Sequence, residues 1–325
     1  MGNVENYLVS IIIVTYNSAE FVIETLESSY RQTWPNLELI ITDDFSTDNT
    51  VDICQNWILK NGIRFVRTQI LTVTKNTGTA ANCNRGLNVA KGEWIKYCAG
   101  DDALLPNCIE DNLKHVSENP NIKALFSYCR MYLKHTTEDC FVGLNPGEFP
   151  SNIITDEITA EVQYKLLLVS NRIPFTPSFF IHRDTRNKYG EIDERFQFSE
   201  DYQLFLSLTK NGIKLYFMEK ETMKYRIHNE SLSKQIEEYI VHPMYYRNEP
   251  IMKKYSYPFL PWELKFSKMQ NWYVNQIFKI DFINRRNKFN SSLHYVLSRL
   301  LNPFHYISYI KAHYGKKYRN KIFYK

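Results

Sequence analysis

Short apolar runs alternate with longer amphipathic stretches over the first hundred residues. Residues 8–14 (LVSIIIV) are apolar, β-branched and too few for a helix, which predicts a buried central strand. Across residues 18–31 the apolar side chains Phe21, Val22, Leu26 and Tyr30 recur near helical spacing. Residues 37–42 (LELIIT) predict a second strand, and Ser46, Asp48 and Asn49 are the residue types that cap a helix running from Thr50. A third strand is expected within residues 64–71, a third helix over residues 79–90 with Gly92 to stop it, and a further strand over residues 93–98. Strands alternating with helices of about 10–15 residues predict an α/β fold: a doubly wound, mostly parallel sheet flanked by helices.

Ligands of such sheets sit beyond the carboxyl ends of the strands. That rule selects Thr15, Tyr16 and Asn17, then Asp43 and Asp44, then Lys75 and Asn76, then Gly100, Asp101 and Asp102. After about residue 150 the pattern loosens. Helices are expected over residues 158–169 and 200–210, the second capped by Ser199 and stopped at Asn211 and Gly212. Pro243, Pro250, Pro258 and Pro261 mark a linker-like region, followed by amphipathic helical stretches at residues 264–282 and 291–301.

The carboxylates define the candidate chemistry. Asp101 and Asp102 repel each other at a strand end unless a cation or a helix N-terminus receives them. They suit a Mg2+ or Mn2+ site shared with a diphosphate, or alternatively a solvated turn. Asp43, Asp44 and Asp48 could accept from a nucleobase or ribose, or cap a helix. Glu200 and Asp201 open a predicted helix, where a carboxylate can serve as a general base or simply as a cap. His228, after Arg226 in the run Tyr-Arg-Ile-His-Asn, could ligate a metal or be structural.

The order of these motifs is more specific than any one of them. Residues 10–17 (SIIIVTYN), 39–48 (LIITDDFSTD), Asn76-x-Gly78-x-x-Ala81-x-x-Asn84-x-Gly86, and 92–102 ending in Asp101-Asp102 closely resemble the family-2 glycosyltransferases of the GT-A fold. The resemblance continues through residues 198–202 (FSEDY) and 225–229 (YRIHN), covering about residues 7–232. It implies that Thr15, Asn17, Asp44, Lys75, Asn76 and Gly100 line the nucleotide pocket, with Asp44 facing the base. Asp101 would be the metal-binding carboxylate, joined by His228, and Asp201 the catalytic base. Asp43, Asp102, Glu200 and Arg226 would support them. The implied cofactor is Mn2+ or Mg2+, the donor a nucleotide sugar (UDP-linked hexose or N-acetylhexosamine), and the outcome inversion. One position departs from the pattern: Ala99 replaces the first Asp of the family's Asp-x-Asp motif. That substitution motivates a second reading, a non-catalytic nucleotide-sugar binder.

Charge divides the chain in two. From residue 251 onward, 15 Lys and Arg face only Glu263 and Asp281, although the whole chain carries a net charge of +5. Domains are therefore expected at residues 1–235 (a nucleotide-sugar half to about residue 105, an acceptor half after it) and 236–325, a basic, aromatic, helical extension. Basic amphipathic helices with aromatics suit an anionic leaflet. The expected acceptor is a polyprenyl-diphosphate-linked glycan, as for relatives that build O-antigens or capsules. The expected location is the cytoplasm, peripheral on the inner face of the membrane, with pairing of two chains as the alternative use of the tail. No signal-peptide pattern and no apolar run of spanning length is present. Six cysteines without a C-x-x-C pair are expected to be free thiols. Nucleic-acid binding is not expected, and the missing G-x-G-x-x-G after the first strand excludes a nicotinamide dehydrogenase.

Overall fold

The computed structural model describes residues 6–146, 153–155, 157–169, 171, 173, 175–190, 192–196, 200–228 and 238–307. Ser199 and residues 308–325 of the basic extension, both named above, lie outside the described residues. The chain packs as two units: Met1–Tyr164 with Arg172–Ile227, and Lys165–Asn171 with His228–Lys325.

The first unit begins with β1 (Val9–Thr15), α1 (Val22–Tyr30), β2 (Leu37–Asp43), α2 (Thr50–Asn61), β3 (Arg67–Leu71), α3 (Thr79–Val89), β4 (Trp94–Ala99), β5 (Ala103–Leu104) and α4 (Cys108–Glu118). It continues with β6 (Ala124–Leu133), β7 (Phe141–Asn145), α5 (Ala160–Val169, divided between the units), β8 (Phe180–His182), α6 (Arg183–Tyr189), α7 (Glu200–Lys210) and β9 (Tyr216–Ile227). One sheet runs β3-β2-β1-β4-β8-β6-β9-β5, with β7 beside β6. The long ladders are parallel, as expected: β1 pairs in parallel with β2 and β4, β2 with β3, and β6 with β9. The antiparallel pairings are short, spanning β8, β5 and β7. All of β2, and all of β1 except Val14, is buried, which is why these strands read as unbroken apolar runs.

Several boundaries differ from expectation for identifiable reasons. Helix α1 starts at Val22, because Ser18 and Ala19 are tied by their N–H groups to Thr50 Oγ1 and Asp48 Oδ2. Strand β3 starts at Arg67 because Gly62–Arg64 forms a 3-10 turn, from which Arg64 donates to the carbonyls of Tyr30, Gln32, Trp34 and Pro35. Gly92 does not end α3, which stops at Val89. Its N–H instead donates to Ser10 Oγ and Glu38 Oε1, and a Cβ there would stand 2.5 Å from the Ser10 backbone nitrogen. Gly212 meets expectation: at φ +80° it closes a Schellman motif, with Gly212 N–H on Thr209 O and Ile213 N–H on Leu208 O.

In the second unit the proline-punctuated region is helical, not linker. Helix α8 (Pro243–Tyr255) carries Pro250 inside it, Pro258 sits in a 3-10 turn, and Pro261 is the N-cap of α9 (Trp262–Ile277). The stretch expected at residues 264–282 breaks after Ile277 and resumes as α10 (Asp281–Asn284). The break places Phe278, fully buried, in a small core with Val241 and Val274. Helix α11 (Lys288–Tyr295), capped by the Asn287 side chain, passes into one π-helical turn at Val296–Leu300. Among the described residues no helix is long and apolar enough to cross a membrane. All six cysteines are free.

Candidate active site

Sheet direction gathers the candidate residues along one edge. Strands β1, β2 and β4 are mutually parallel, with Thr15 opposite Asp43 and Val14 opposite Ala99. Strand β8 runs antiparallel to both β4 and β6, so β6 and its parallel partner β9 point the same way as β4. Thr15, Asp43 and Asp44, Gly100 to Asp102, and Arg226 therefore all stand at the carboxyl edge. The turn Thr176–Ser178, just before β8, joins them there.

At β1 and β2 the loops are zipped together. Asp43 is buried and accepts from Thr15 Oγ1 at 2.8 Å, Ser46 N–H at 2.8 Å and Ser46 Oγ at 2.5 Å. Asn17, at φ +50°, donates its N–H to Ser46 Oγ and accepts from Thr47 N–H. Asp44 is 3% exposed and accepts from Thr77 N–H, from Gly78 N–H at 2.7 Å and from Arg85 at 3.3 Å. Its carboxylate thus ties down the residues that lead into α3. Lys75 and Asn76 are exposed in the loop that Asp44 ties down. Gly100 is buried, and its role in this structure is close approach: a Cβ would stand 2.8 Å from both Ser18 Oγ and Thr15 Cγ2.

At β4 the chain turns through Ala99 to Asp102, whose N–H returns to Ala99 O at 3.1 Å. Asp101 is half-buried and Asp102 is 2% exposed. Burial and the Asp101 charge push the Asp102 carboxyl well above the usual range, against the opposing pull of Arg226. Arg226, itself 2% exposed, donates Nε to Asp101 O at 2.7 Å and Nη1 to Lys134 O at 2.6 Å, and pairs through Nη2 with Glu24. Burial raises the Glu24 carboxyl, but hydrogen bonds from Thr136 and Arg226 outweigh it and hold the group below the ordinary carboxylate range.

The third group opens α7. Asp201 accepts from Thr176 Oγ1 at 3.1 Å and from Tyr202 N–H at 2.7 Å. Burial, then the Asp201 charge, pushes the Glu200 carboxyl up to about 8. The turn carrying Thr176 is held from below by Lys96, fully buried on β4, which donates to Pro177 O at 2.6 Å. Burial pushes the Cys83 thiol on α3 up, and the charges of Glu200, Asp201 and Asp44 push it the same way.

His228 follows β9 directly and begins the second unit. Among the described residues no three His, Cys, Asp or Glu side chains stand together as a ready-made metal cluster. The donor set at the edge is a pair of carboxylates, Asp101 and Asp102, which fits a hard divalent ion that takes few protein ligands and shares phosphate oxygens. Arg85, Thr77, Lys96 and Glu24 were not among the residues the sequence singled out. Arg85 alone had a visible signal, because it lies inside the motif between Asn84 and Gly86.

Comparison with known proteins bears on the identity of this edge. Residues 10–138 match the sequence pattern of glycosyl transferase family 2. The chain is 31% identical over 229 residues to WfaP of Escherichia coli, a UDP-Glc:alpha-D-GlcNAc-diphosphoundecaprenol beta-1,3-glucosyltransferase, covering 70% of this chain and 80% of that one. The chain belongs to glycosyl transferase family 2. This glycosyltransferase is also 34% identical over 111 residues to glycosyltransferase GlyG of Streptococcus pneumoniae, of whose length it spans 36%. In fold it is similar to S. aureus TarS residues 1–349, with a TM-score of 0.51 at 16% identity over 94% of this chain and 73% of that one. The family-2 glycosyltransferase thus has the GT-A architecture expected from its motifs, with helices in its C-terminal part.

Proposed function

We propose that this glycosyltransferase inverts: it moves a hexose or N-acetylhexosamine from a UDP sugar to a hydroxyl of a polyprenyl-diphosphate-linked oligosaccharide. The observation that carries the reading is the gathering of three groups on one sheet edge in a family-2 chain: the Thr15–Asp44 loops, the Asp101–Asp102 turn, and Asp201 on its Thr176 support. The name of WfaP supplies the donor type, the lipid-linked acceptor and the β product for that relative, which is the prior for this chain.

In this reading Asp44 and Asn17 receive the nucleoside, and Asp201 takes the proton from the acceptor hydroxyl as it attacks the anomeric carbon. A positioned base of this kind contributes about 10²–10⁴-fold. Asp101, in the pair with Asp102, is the residue that would hold Mn2+ or Mg2+. Bound there, the ion offsets charge on the departing diphosphate. One base without a separate nucleophile leads to a single displacement, so an α-linked donor yields a β-glycoside. A carrier-linked acceptor places the enzyme on the inner face of the cytoplasmic membrane, with the basic C-terminal unit as its contact.

The test is thermal protection by nucleoside diphosphates and nucleotide sugars, each with Mn2+ and with chelator. A ligand at 100 times its dissociation constant adds about 2.7 kcal/mol. Metal-dependent protection by UDP and by one UDP sugar is the expected result. Absence of protection by every nucleotide would overturn the reading and identify Ala99 as the mark of a lost donor site.

A further inference from the structure

Helix α9 presents two faces. Leu264, Ser267 and Val274 are buried within their own unit, whereas Trp262, Phe266, Met269, Tyr273 and Ile277 are exposed at 55%, 47%, 37%, 61% and 47%. Steps of four, three, four and four residues put the exposed five on one stripe. The rings of Trp262 and Phe266 pack on Phe304 at 5.9 and 5.2 Å, which widens the stripe at its start. A contiguous exposed apolar stripe of large residues marks an interaction surface.

We propose that this stripe docks on the surface of an anionic lipid bilayer, with α9 lying in the interfacial plane. The proposal rests on the membrane part of the function proposed above and names the surface that performs it. Charge selects the occupant. Lys265 is exposed beside the stripe, and residues 251–325 hold 15 Lys and Arg against two acids. A second copy of the chain would bring the same positive excess and be repelled. An anionic leaflet is attracted by about 1 kcal/mol for each Lys or Arg near it. Chemistry agrees: Trp and Tyr favour the depth of the headgroups, where an apolar ring and a polar atom are both satisfied. Length agrees as well. Sixteen helical residues extend about 24 Å, enough to lie along a bilayer but short of its roughly 30 Å core.

The experiment is flotation of the full chain with vesicles of equal parts phosphatidylglycerol and phosphatidylcholine, and with pure phosphatidylcholine vesicles. It is run on the wild type, on Phe266→Ser/Tyr273→Ser, and on Lys265→Glu, with sedimentation velocity and thermal unfolding in parallel without lipid. The wild type is expected to float with the anionic vesicles and to lose binding as salt rises. The double variant should partition about tenfold or more weakly, since each large apolar side chain withdrawn from the interface is worth at least that factor. Lys265→Glu should weaken binding by a smaller factor, and both variants should remain folded at the assay temperature with wild-type sedimentation. Wild-type flotation of the double variant overturns the assignment to α9 while leaving membrane binding itself in place. No flotation of the wild type with either vesicle overturns both. A wild-type dimer that the double variant converts to monomer assigns the stripe to self-association and overturns the proposal.

Discussion

Arg226 donates its backbone N–H to the Asp102 carboxylate at 2.9 Å across 124 residues of sequence. Its side chain fastens the neighbouring Asp101 carbonyl, so the end of β9 sets the shape of the acidic turn after β4. The turn is therefore held by Arg226, through its backbone N–H and its guanidinium, as well as by the turn's own hydrogen bond from Asp102 N–H to Ala99 O. Ala99 contributes only its carbonyl to that turn, which explains how the turn keeps its form without an acid at that position.

Removing the Arg226 side chain should disturb both stability and the acidic turn. Arg226→Met leaves the Asp101 and Lys134 carbonyls without their donor and breaks the pair with Glu24, an expected loss of about 2–4 kcal/mol. Arg226→Lys keeps the charge but not the fork and should recover less than half of that loss. Urea unfolding measures the first effect, and calorimetric titration with Mn2+ in the presence of UDP reads the second. Wild-type stability in Arg226→Met would refute the clamp.

Asp201→Asn should lower kcat by about 10²–10⁴-fold while leaving thermal protection by UDP unchanged. Thr176→Val removes one hydrogen bond to that carboxylate and should cost about tenfold in kcat, with little change in donor KM. A steady-state assay on both variants decides: a rise in donor KM as the main effect would move Asp201 from the chemistry to the donor pocket.

Glu200 makes a prediction about pH. Its carboxyl is raised to about 8 in the folded chain, so the folded state holds the proton more tightly than the unfolded chain does. Its contribution to stability is complete below the unfolded value near 4.5 and is lost as pH rises toward 8. Glu200→Gln, which cannot ionise, should therefore gain melting temperature over the wild type increasingly from pH 5 to pH 8. Melting curves across that interval check the sign; a gain that shrinks with pH would contradict it.

Two glycines test close approach. A Cβ at Gly92 would stand 2.5 Å from the Ser10 backbone nitrogen and 2.8 Å from Leu8 O, whereas one at Gly86 would meet the Ile12 side chain at 2.5 Å. Backbone yields less readily than a side chain, so Gly92→Ala should be the more damaging. The expected cost is about 1–3 kcal/mol at Gly86 and more at Gly92. Equilibrium unfolding of the two variants orders them.

Much of the first unit was legible because its signals are local. The apolar runs at β1 and β2 announce strands buried on both faces, and α7 with Gly212 announces a helix and its stop through capping chemistry. The order of motifs along the chain carried the family and the fold, and it named Asp44, Asp101 and Asp201. The helical state of the region around Pro250 was not legible, because proline's local preference is overridden there by packing within the unit.

Which residues meet was decided only in three dimensions. Asp44 reads alone as a partner for a nucleobase, yet the fold also makes it the anchor of the loop into α3 through Thr77 and Gly78. Lys96 reads as one polar residue in a strand, and only the pairing of β4 with β8 places its ammonium under the turn that supports Asp201. Hydrophobic period and caps act over a few residues, so the sequence by itself determines elements and the side of the sheet on which ligands bind. Partners such as Arg226 and Asp102 are joined by strand order, a property of the whole sheet that no local pattern encodes.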